Sequence, residues 1–114
     1  MISIEREMTS LRIDLKLTPE QTALFDGFDR EVRNAARAFR ERTRELSGFR
    51  LDDGSTVAAT SIIATIADGD TRRAEAMRQA AAKLDALQGA LTPEQRKQLD
   101  RRVVQALREP LGNS

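Results

Sequence analysis

Apolar residues recur at helical spacing along most of this 114-residue chain. The first such set is spaced by four, three and four residues and comprises Ile4, Met8, Leu11 and Leu15. This spacing predicts one face of an amphipathic helix. Residues 13–17 also alternate as a strand would, but an isolated strand would have no pairing partner, so the pattern favours a helix that ends near Asp14.

The longest apolar stripe predicts a helix from Pro19 to about Ser47. Its members are Leu24, Phe28, Val32, Ala35, Phe39 and Leu46, with Thr43 filling one turn. Such a stripe is typical of a surface helix that packs one face against a core. Ser47 and Gly48 form a stop signal, because Gly commonly follows the last helical residue. Residues 49–54 then predict a loop.

A third helix is predicted from Ser55, with an apolar face formed by Ala59, Ile62, Ile63 and Ile66. Residues 68–71 interrupt this pattern. Gly69 costs about 1 kcal/mol relative to Ala inside a helix, and Asp70 is a favourable first residue for a new helix. The sequence therefore predicts a break or sharp bend at this point.

Two more helices complete the prediction. The fourth runs from Asp70 to about Gln88, and its apolar face comprises Ala74, Met77, Ala81, Leu84 and Leu87. The last runs from Pro93 to about Arg108, with a face formed by Leu99, Val103 and either Ala106 or Leu107, before Pro110 and Gly112 close it. No internal segment is long or polar enough to act as a linker, so residues 1–114 are predicted to form one all-α domain of four to five helices.

Composition supports this fold and excludes several functions. Only four residues are aromatic, all of them Phe, and Ala is abundant, which suits closely packed helices. The chain has no His and no Cys, so it lacks the usual ligands for transition metals and the usual pairs for nucleophilic catalysis. We therefore expect no enzymatic activity, no catalytic residue, no cofactor and no metal site.

Charge and hydropathy exclude two further classes of partner. Nineteen basic residues balance eighteen acidic ones, whereas general nucleic-acid binders usually carry a clear basic excess. The longest apolar run, at residues 62–64, is far too short to span a membrane. Residues 1–6 do not show the basic and then apolar pattern of a signal peptide, which leaves open a cytoplasmic protein or a processed form.

One pentapeptide occurs twice without a change. Its copies are Leu17-Thr18-Pro19-Glu20-Gln21 and Leu91-Thr92-Pro93-Glu94-Gln95. Thr is suited to cap a helix, Pro to its first position, Glu to the positive end of its dipole, and Gln to complete a capping box. The leading Leu has no apolar partner four positions into the helix, where Thr22 and Arg96 stand. We therefore predict that Leu17 and Leu91 are buried near each other and that the motif is a tertiary corner as well as a cap.

The two motifs and the order of the helices resemble the LTxxQ-motif family of Spy/CpxP-like bacterial periplasmic envelope-stress proteins. The resemblance covers roughly residues 15–104. It implies a bent helical hairpin in which both motifs lie close together, pairing of two copies as an antiparallel homodimer, and a periplasmic location. The metal-sensing members of this family use His together with acidic or sulfur ligands, and the lack of His and Cys here largely excludes that subgroup. The predicted short helix from Asp70 to Gln88 implies a hairpin that is smaller than in Spy-like members or differently bent.

A row of Arg residues on the long helix is the candidate protein-binding surface. Arg30, Arg33, Arg37, Arg40 and Arg44 recur at three and four residues, opposite the predicted apolar face. One interpretation is an ordinary solvated face, partly neutralised by Asp26 and Asp29. The other is a contact surface for protein clients through Arg33, Arg37, Arg40 and Arg44, since Arg combines an apolar stem, a stacking plane and several donors.

These features lead to one functional hypothesis and two alternatives. The first is an ATP-independent periplasmic chaperone or envelope-stress adaptor that binds unfolded or partner proteins. The second is a regulatory protein with one specific partner, such as a sensor kinase or a sigma-factor regulator. The third is an oligomeric structural module without clients. Suppression of aggregation of several unrelated proteins would favour the first, and one stoichiometric partner would favour the second.

Overall fold

The computed structural model describes residues 3–47 and 59–112. These residues form four helices and contain no strand, and the helices are α1 (Ile4–Asp14), α2 (Pro19–Ser47), α3 (Ala59–Gln88) and α4 (Pro93–Gly112). The predicted all-α fold is confirmed, and so are the end of α1 at Asp14 and both bounds of α2. The predicted loop at 49–54 and the predicted helix start at Ser55 lie outside the described residues.

The sequence at both ends of α1 explains why this short helix forms. The hydroxyl of Ser3 accepts a hydrogen bond of 3.1 Å from the backbone N–H of Arg6, which satisfies one of the free donors of the first turn. After Asp14, Lys16 adopts a positive φ of 53°, the left-handed conformation that commonly reverses a chain after a helix. The alternating residues 13–17 therefore belong to a helix end and a turn.

Helix α2 packs along α3 as the two arms of a hairpin, and α1 packs against both α2 and α4. At a rise of about 1.5 Å per residue, each arm is more than 40 Å long, and the molecule measures 59 × 25 × 17 Å. An elongated shape of this kind leaves much of each arm in contact with a single neighbour. The core is accordingly confined to one end.

The core lies where the two motifs meet the ends of the helices. Its buried side chains are Met8, Leu11, Leu15, Phe25, Phe28, Leu87, Leu91 and Leu99. The rings of Phe25 and Phe28 meet edge to face, with centroids 6.4 Å apart, a favourable geometry for aromatic pairs. Among the described residues of α2, no apolar side chain after Val32 belongs to this cluster or packs against it. The hairpin therefore extends away from its own core.

The predicted break at Gly69 is wrong, because α3 continues through it as a single 30-residue helix. Gly69 is buried within this helix, and packing along α2 outweighs a propensity cost of about 1 kcal/mol. Asp70 does not begin a new helix. Its carboxylate binds Arg73 of the same helix and lies 3.9 Å from the guanidinium of Arg42 on α2. The arm that precedes the second motif is therefore long, and the predicted short helix is corrected.

The buried face of α2 is rotated about the helix axis relative to the predicted apolar face. Phe28 and Ala35 are buried as predicted, but Phe25, which the stripe omitted, is fully buried. Leu24 and Phe39 are 38% and 51% exposed instead. Helix α2 has two neighbours near the core, α1 and α3, and their positions turn its buried face toward Phe25. The side chain of Leu46 lies outside the described ones.

Similar corrections apply to α3 and α4. On α3, Leu87 is buried as predicted, whereas Met77 and Ala81 are exposed and their places are taken by Arg73 and Ala80. Because a break was predicted at Gly69, the apolar face after it was not continued from the face before it, and the predicted face was therefore displaced around the helix. On α4, Leu99 and Ala106 are buried and Leu107 is 46% exposed, which decides between the two alternatives. Helix α4 also continues past the predicted end to Gly112 and includes Pro110, which has no backbone N–H to donate to the preceding turn.

Candidate functional site

Both copies of the pentapeptide form capping boxes with the same geometry. In the first, the N–H of Gln21 donates to the hydroxyl of Thr18 at 3.2 Å, and the N–H of Thr18 donates back to the Gln21 side-chain oxygen at 3.0 Å. In the second, Gln95 and Thr92 make the same two bonds at the same distances. The predicted capping role of both motifs is confirmed, and each box satisfies donors that a helix start leaves free.

The two Gln side chains also bind each other across the molecule. The amide nitrogen Nε2 of Gln21 donates to Oε1 of Gln95 at 3.0 Å, and Nε2 of Gln95 donates to Oε1 of Gln21 at 3.1 Å. This reciprocal pair joins positions 74 residues apart at the starts of α2 and α4. The predicted proximity of the two motifs is therefore confirmed, through their last residues.

The remaining hydrogen-bonding capacity of each amide is used on the end of an opposite helix. Gln21 Nε2 donates a second bond of 2.9 Å to the carbonyl of Ala90, just after α3, and Gln95 Nε2 donates one of 3.0 Å to the carbonyl of Leu15, just after α1. Each side chain thus makes two donated and two accepted bonds, the full capacity of an amide. Gln21 is only 7% exposed. Because all of its hydrogen-bonding groups have partners, its burial carries little cost in free energy.

The leading Leu of each motif contributes apolar contact to the same junction. Leu91 is 6% exposed and belongs to the core cluster, as predicted. Leu17 packs against that cluster but is only partly buried, which corrects the prediction for this residue. The middle residues of both copies, Pro and Glu, are exposed. The motif therefore holds the corner of the fold through its first and last side chains.

The Arg row of α2 divides into residues that bind α1 and residues that do not. Arg33 donates to Asp29 on its own helix at 3.0 Å, and to the backbone carbonyl of Glu5 and the hydroxyl of Thr9 on α1. Arg40 forms a 2.9 Å ion pair with the Glu5 carboxylate. Two of the four candidate binding residues thus attach α1 to α2.

The other candidate residues, Arg37 and Arg44, are exposed along the outer part of the arm. Arg37 donates to Asn34 on the same helix. Between Arg37 and Arg40 lies Phe39, with half of its surface in solvent. This part of α2 therefore combines guanidinium groups with an exposed aromatic ring, an arrangement that suits contact with polypeptide chains.

Helix α1 is attached on its other side by Arg102 of α4. The guanidinium bonds to Glu7, to Asp14 at 2.6 Å and to the hydroxyl of Ser10 at 2.8 Å. The hydrogen bond from Arg102 lowers the pKa of Asp14, and the same contact raises the pKa of Arg102. One side chain thus connects α4 to three positions of α1, which sequence periodicity alone had not revealed.

A second ion pair joins α1 to α2 near the first motif. Arg12 donates to Asp26 at 2.9 Å, and this hydrogen bond is the main reason that the pKa of Asp26 lies below its ordinary value. The sequence analysis placed Asp26 among the carboxylates that neutralise the Arg row of α2. In the structure Arg30 contributes only a weaker electrostatic effect on this carboxyl group.

Within residues 3–47 and 59–112, no cluster of three or more acidic side chains is arranged to hold a metal ion. Over the same residues, none of the helices combines the length and the apolar character needed to cross a bilayer. The two motifs are joined by amide hydrogen bonds between helices. These bonds hold the fold together.

Comparisons with known proteins bear on the whole arrangement. Neither a search of curated proteins nor a search of solved structures gave a match. The sequence profile described as "LTXXQ motif family protein" matches residues 3–103, which include α1, both pentapeptides and most of α4. Since this match spans far more than half of the chain and contains both motif copies, the protein belongs to the LTXXQ motif family.

Proposed function

We propose that this protein is an ATP-independent chaperone or envelope-stress adaptor that binds unfolded or partner proteins through the outer part of α2. The supporting observation is the exposed mixture of charge and apolar surface formed by Arg37, Phe39 and Arg44 on an arm that extends beyond the core. The LTXXQ family is non-enzymatic, in keeping with a role in binding and with our proposal that the protein carries no catalytic activity.

The physical chemistry of this surface favours loose binding of many sequences. Guanidinium groups attract acidic segments over a distance set by ionic strength, and this attraction speeds association more than it strengthens the final complex. A half-exposed ring such as Phe39 offers apolar contact without a shaped pocket. Clients bound in this way would be captured quickly and released quickly, which suits a chaperone that uses no ATP.

The location and the oligomeric state belong to the same proposal. The family is associated with periplasmic proteins, so we propose a periplasmic location. We also propose that two copies pair as an antiparallel dimer, because large apolar side chains such as Ile63, at 67% exposure, stand on the arm without cover from the described residues. Sedimentation equilibrium over a range of protein concentrations tests the dimer, and a monomer at all concentrations contradicts it.

The test of client binding separates the two halves of the Arg row. The double variant Arg37→Gln/Arg44→Gln changes the outer arm, and Gln is nearly as good a helix former as Arg. The matched control, Arg33→Gln/Arg40→Gln, removes the same charge but loosens α1. We expect the first variant to keep its thermal stability and lose suppression of aggregation, and the second to lose stability. The assay uses two unrelated unfolded proteins at low and moderate salt.

Equal protection of both unfolded proteins by the wild type and by the outer-arm variant, at both salt levels, would contradict the proposed surface. The alternative function is regulation of one specific partner, such as a sensor kinase or a sigma-factor regulator. In that case the wild type would fail to protect unrelated proteins and would form one stoichiometric complex. The third alternative, a structural module without clients, predicts neither protection nor a heteromeric complex.

A further inference from the structure

The outward face of α4 carries basic side chains that take no part in holding the fold. Lys97, Arg101 and Arg108 are spaced by four and seven residues, which places them in one row along the helix. All three are exposed, and the row lies opposite the buried side chains Leu99 and Ala106. We call Lys97, Arg101 and Arg108 the α4 basic row.

The lack of partners distinguishes this row from most basic side chains of the protein. Arg12, Arg33, Arg40 and Arg102 each bind a carboxylate, and three of these pairs join different helices. The α4 basic row makes no hydrogen bond and no ion pair with any described residue. Asp100, on the same helix, is engaged with Gln88 of α3. The row therefore presents three positive charges that form no ion pair with a described residue, although the carboxylate of Glu94 lies one turn before Lys97 on the same helix and the whole chain has a net charge of only +1.

Two aliphatic side chains accompany the charges. Val104 lies within the row between Arg101 and Arg108, and Leu107 lies beside it, with exposed fractions of 50% and 46%. The row extends over twelve residues, or about 16 Å along the helix. An aliphatic centre flanked by cations is a pattern that binds a complementary strip with acidic ends and an apolar middle.

We propose that the α4 basic row, with Val104 and Leu107, binds an acidic amphipathic segment of another protein. Charge complementarity selects an acidic partner, and the two aliphatic side chains select one that also carries apolar residues. A nucleic-acid backbone would neutralise the cations but would offer nothing to these aliphatic groups. A bilayer would require a larger apolar surface, and the continuous apolar stripe of α4 faces the core. This surface is separate from the outer arm of α2 and does not depend on the function proposed for it.

The binding test uses a defined probe. A fluorescent 18-residue helical peptide carries a row of Glu flanked by Leu, and a second peptide has Gln in place of each Glu. Fluorescence anisotropy at low salt is expected to show binding of the acidic peptide and about tenfold weaker binding of its Gln counterpart. The variant Lys97→Gln/Arg101→Gln/Arg108→Gln is expected to weaken binding of the acidic peptide by about tenfold as well.

A matched control removes the same total charge elsewhere. Arg6, Lys16 and Lys83 lie on α1, in the turn after it and on α3, and their replacement by Gln is expected to leave peptide affinity within about twofold of the wild type. A separate variant, Val104→Gln/Leu107→Gln, is expected to weaken binding severalfold with no change in its salt dependence. Circular dichroism checks that each variant keeps its helices.

Three results would overturn the proposal. In the first, the acidic peptide fails to bind to the wild type. In the second, both triple variants weaken binding of the acidic peptide equally, which would indicate that binding responds to net charge alone. In the third, vesicles of phosphatidylglycerol bind through the row and the peptide does not, which would assign the surface to a membrane. Aggregation suppression by the α4 triple variant is expected to equal that of the wild type, so failure here and failure of the outer-arm proposal give different results.

Discussion

The reciprocal bond between Gln21 and Gln95 makes a quantitative prediction about how the two motifs act on stability. Replacing Gln21 by Met keeps the length and approximate volume of the side chain and removes all four of its hydrogen bonds. Those bonds run to Thr18, to Ala90 and, in both directions, to Gln95. The substitution therefore removes hydrogen-bond partners from three other residues at once.

The expected magnitude follows from what each partner can recover. Each hydrogen bond contributes about 0.5–1.5 kcal/mol net, and an orphaned buried group costs about 1–3 kcal/mol. Thr18 is exposed, so water replaces the bond to its N–H. The bonds to the Ala90 carbonyl and to the amide of Gln95 are partly buried, so these two groups are harder to rehydrate. We therefore expect Gln21→Met to lower the free energy of unfolding by about 2–4 kcal/mol.

A double-mutant cycle tests the pair itself. Gln95→Met alone is expected to cost a similar amount, but Gln21→Met/Gln95→Met removes both amides and leaves no orphaned amide behind. The double variant should therefore cost less than the sum of the single ones by about 1–3 kcal/mol. Urea unfolding followed by circular dichroism measures all four proteins. Additive effects, or single costs within about 0.5 kcal/mol, would refute the coupling of the two motifs.

Three shorter predictions concern other parts of the fold. Leu91→Ala should cost about 2–5 kcal/mol in chemical unfolding, as for other buried Leu residues, and a cost near 0.5 kcal/mol would show that the motif only caps its helix. Gly27→Ala should stabilise the protein by about 0.5–1 kcal/mol, because the new methyl group meets only the Lys83 side chain at an ordinary 3.9 Å; a lower melting temperature would contradict this. The lowered pKa of Asp14 means that its bond to Arg102 stabilises the fold above the ordinary pKa of 3.8 and that this contribution is lost as the pH falls through the folded value. Unfolding curves of Asp14→Asn and wild type should therefore differ at neutral pH and converge in acid, and a constant difference would contradict it.

Local chemistry allowed much of the fold to be predicted. The start of α2 at Pro19 and of α4 at Pro93 followed from Thr, Pro and Gln at fixed positions, which act within one turn of helix. The end of α1 near Asp14 followed from the loss of helical spacing. Both capping boxes formed as predicted, because every contact they need lies within four residues of sequence.

Features that depend on neighbouring helices were predicted less well. A single stripe along α2 cannot reveal that two helices pack against it, and so Phe25 was missed and Phe39 was placed inside. Gly69 carried the local signal of a break, but long packed helices tolerate a single unfavourable residue. Sequence periodicity also could not predict that Arg33 and Arg40 bind α1, since these contacts join residues about 30 positions apart.

The Gln pair also clarified why the motif contains Gln. As part of a capping box, either Glu or Gln would serve. Across the junction only an amide serves, because it donates and accepts at the same end of the side chain, whereas an ionised carboxylate only accepts. The repetition of the pentapeptide in the sequence indicated a tertiary role, but the atoms that perform it became visible only in the structure.

The amide pair has an evolutionary consequence. A substitution at position 21 removes two hydrogen bonds of Gln95, and the reverse also holds, so we expect the residues that are tolerated at one site to depend on the residue at the other. Pro19 and Glu20 face solvent and take no part in this exchange. Substitutions there affect only the start of one helix. The family's name specifies Leu, Thr and Gln and leaves two positions between Thr and Gln open, and in the first copy these open positions are Pro19 and Glu20.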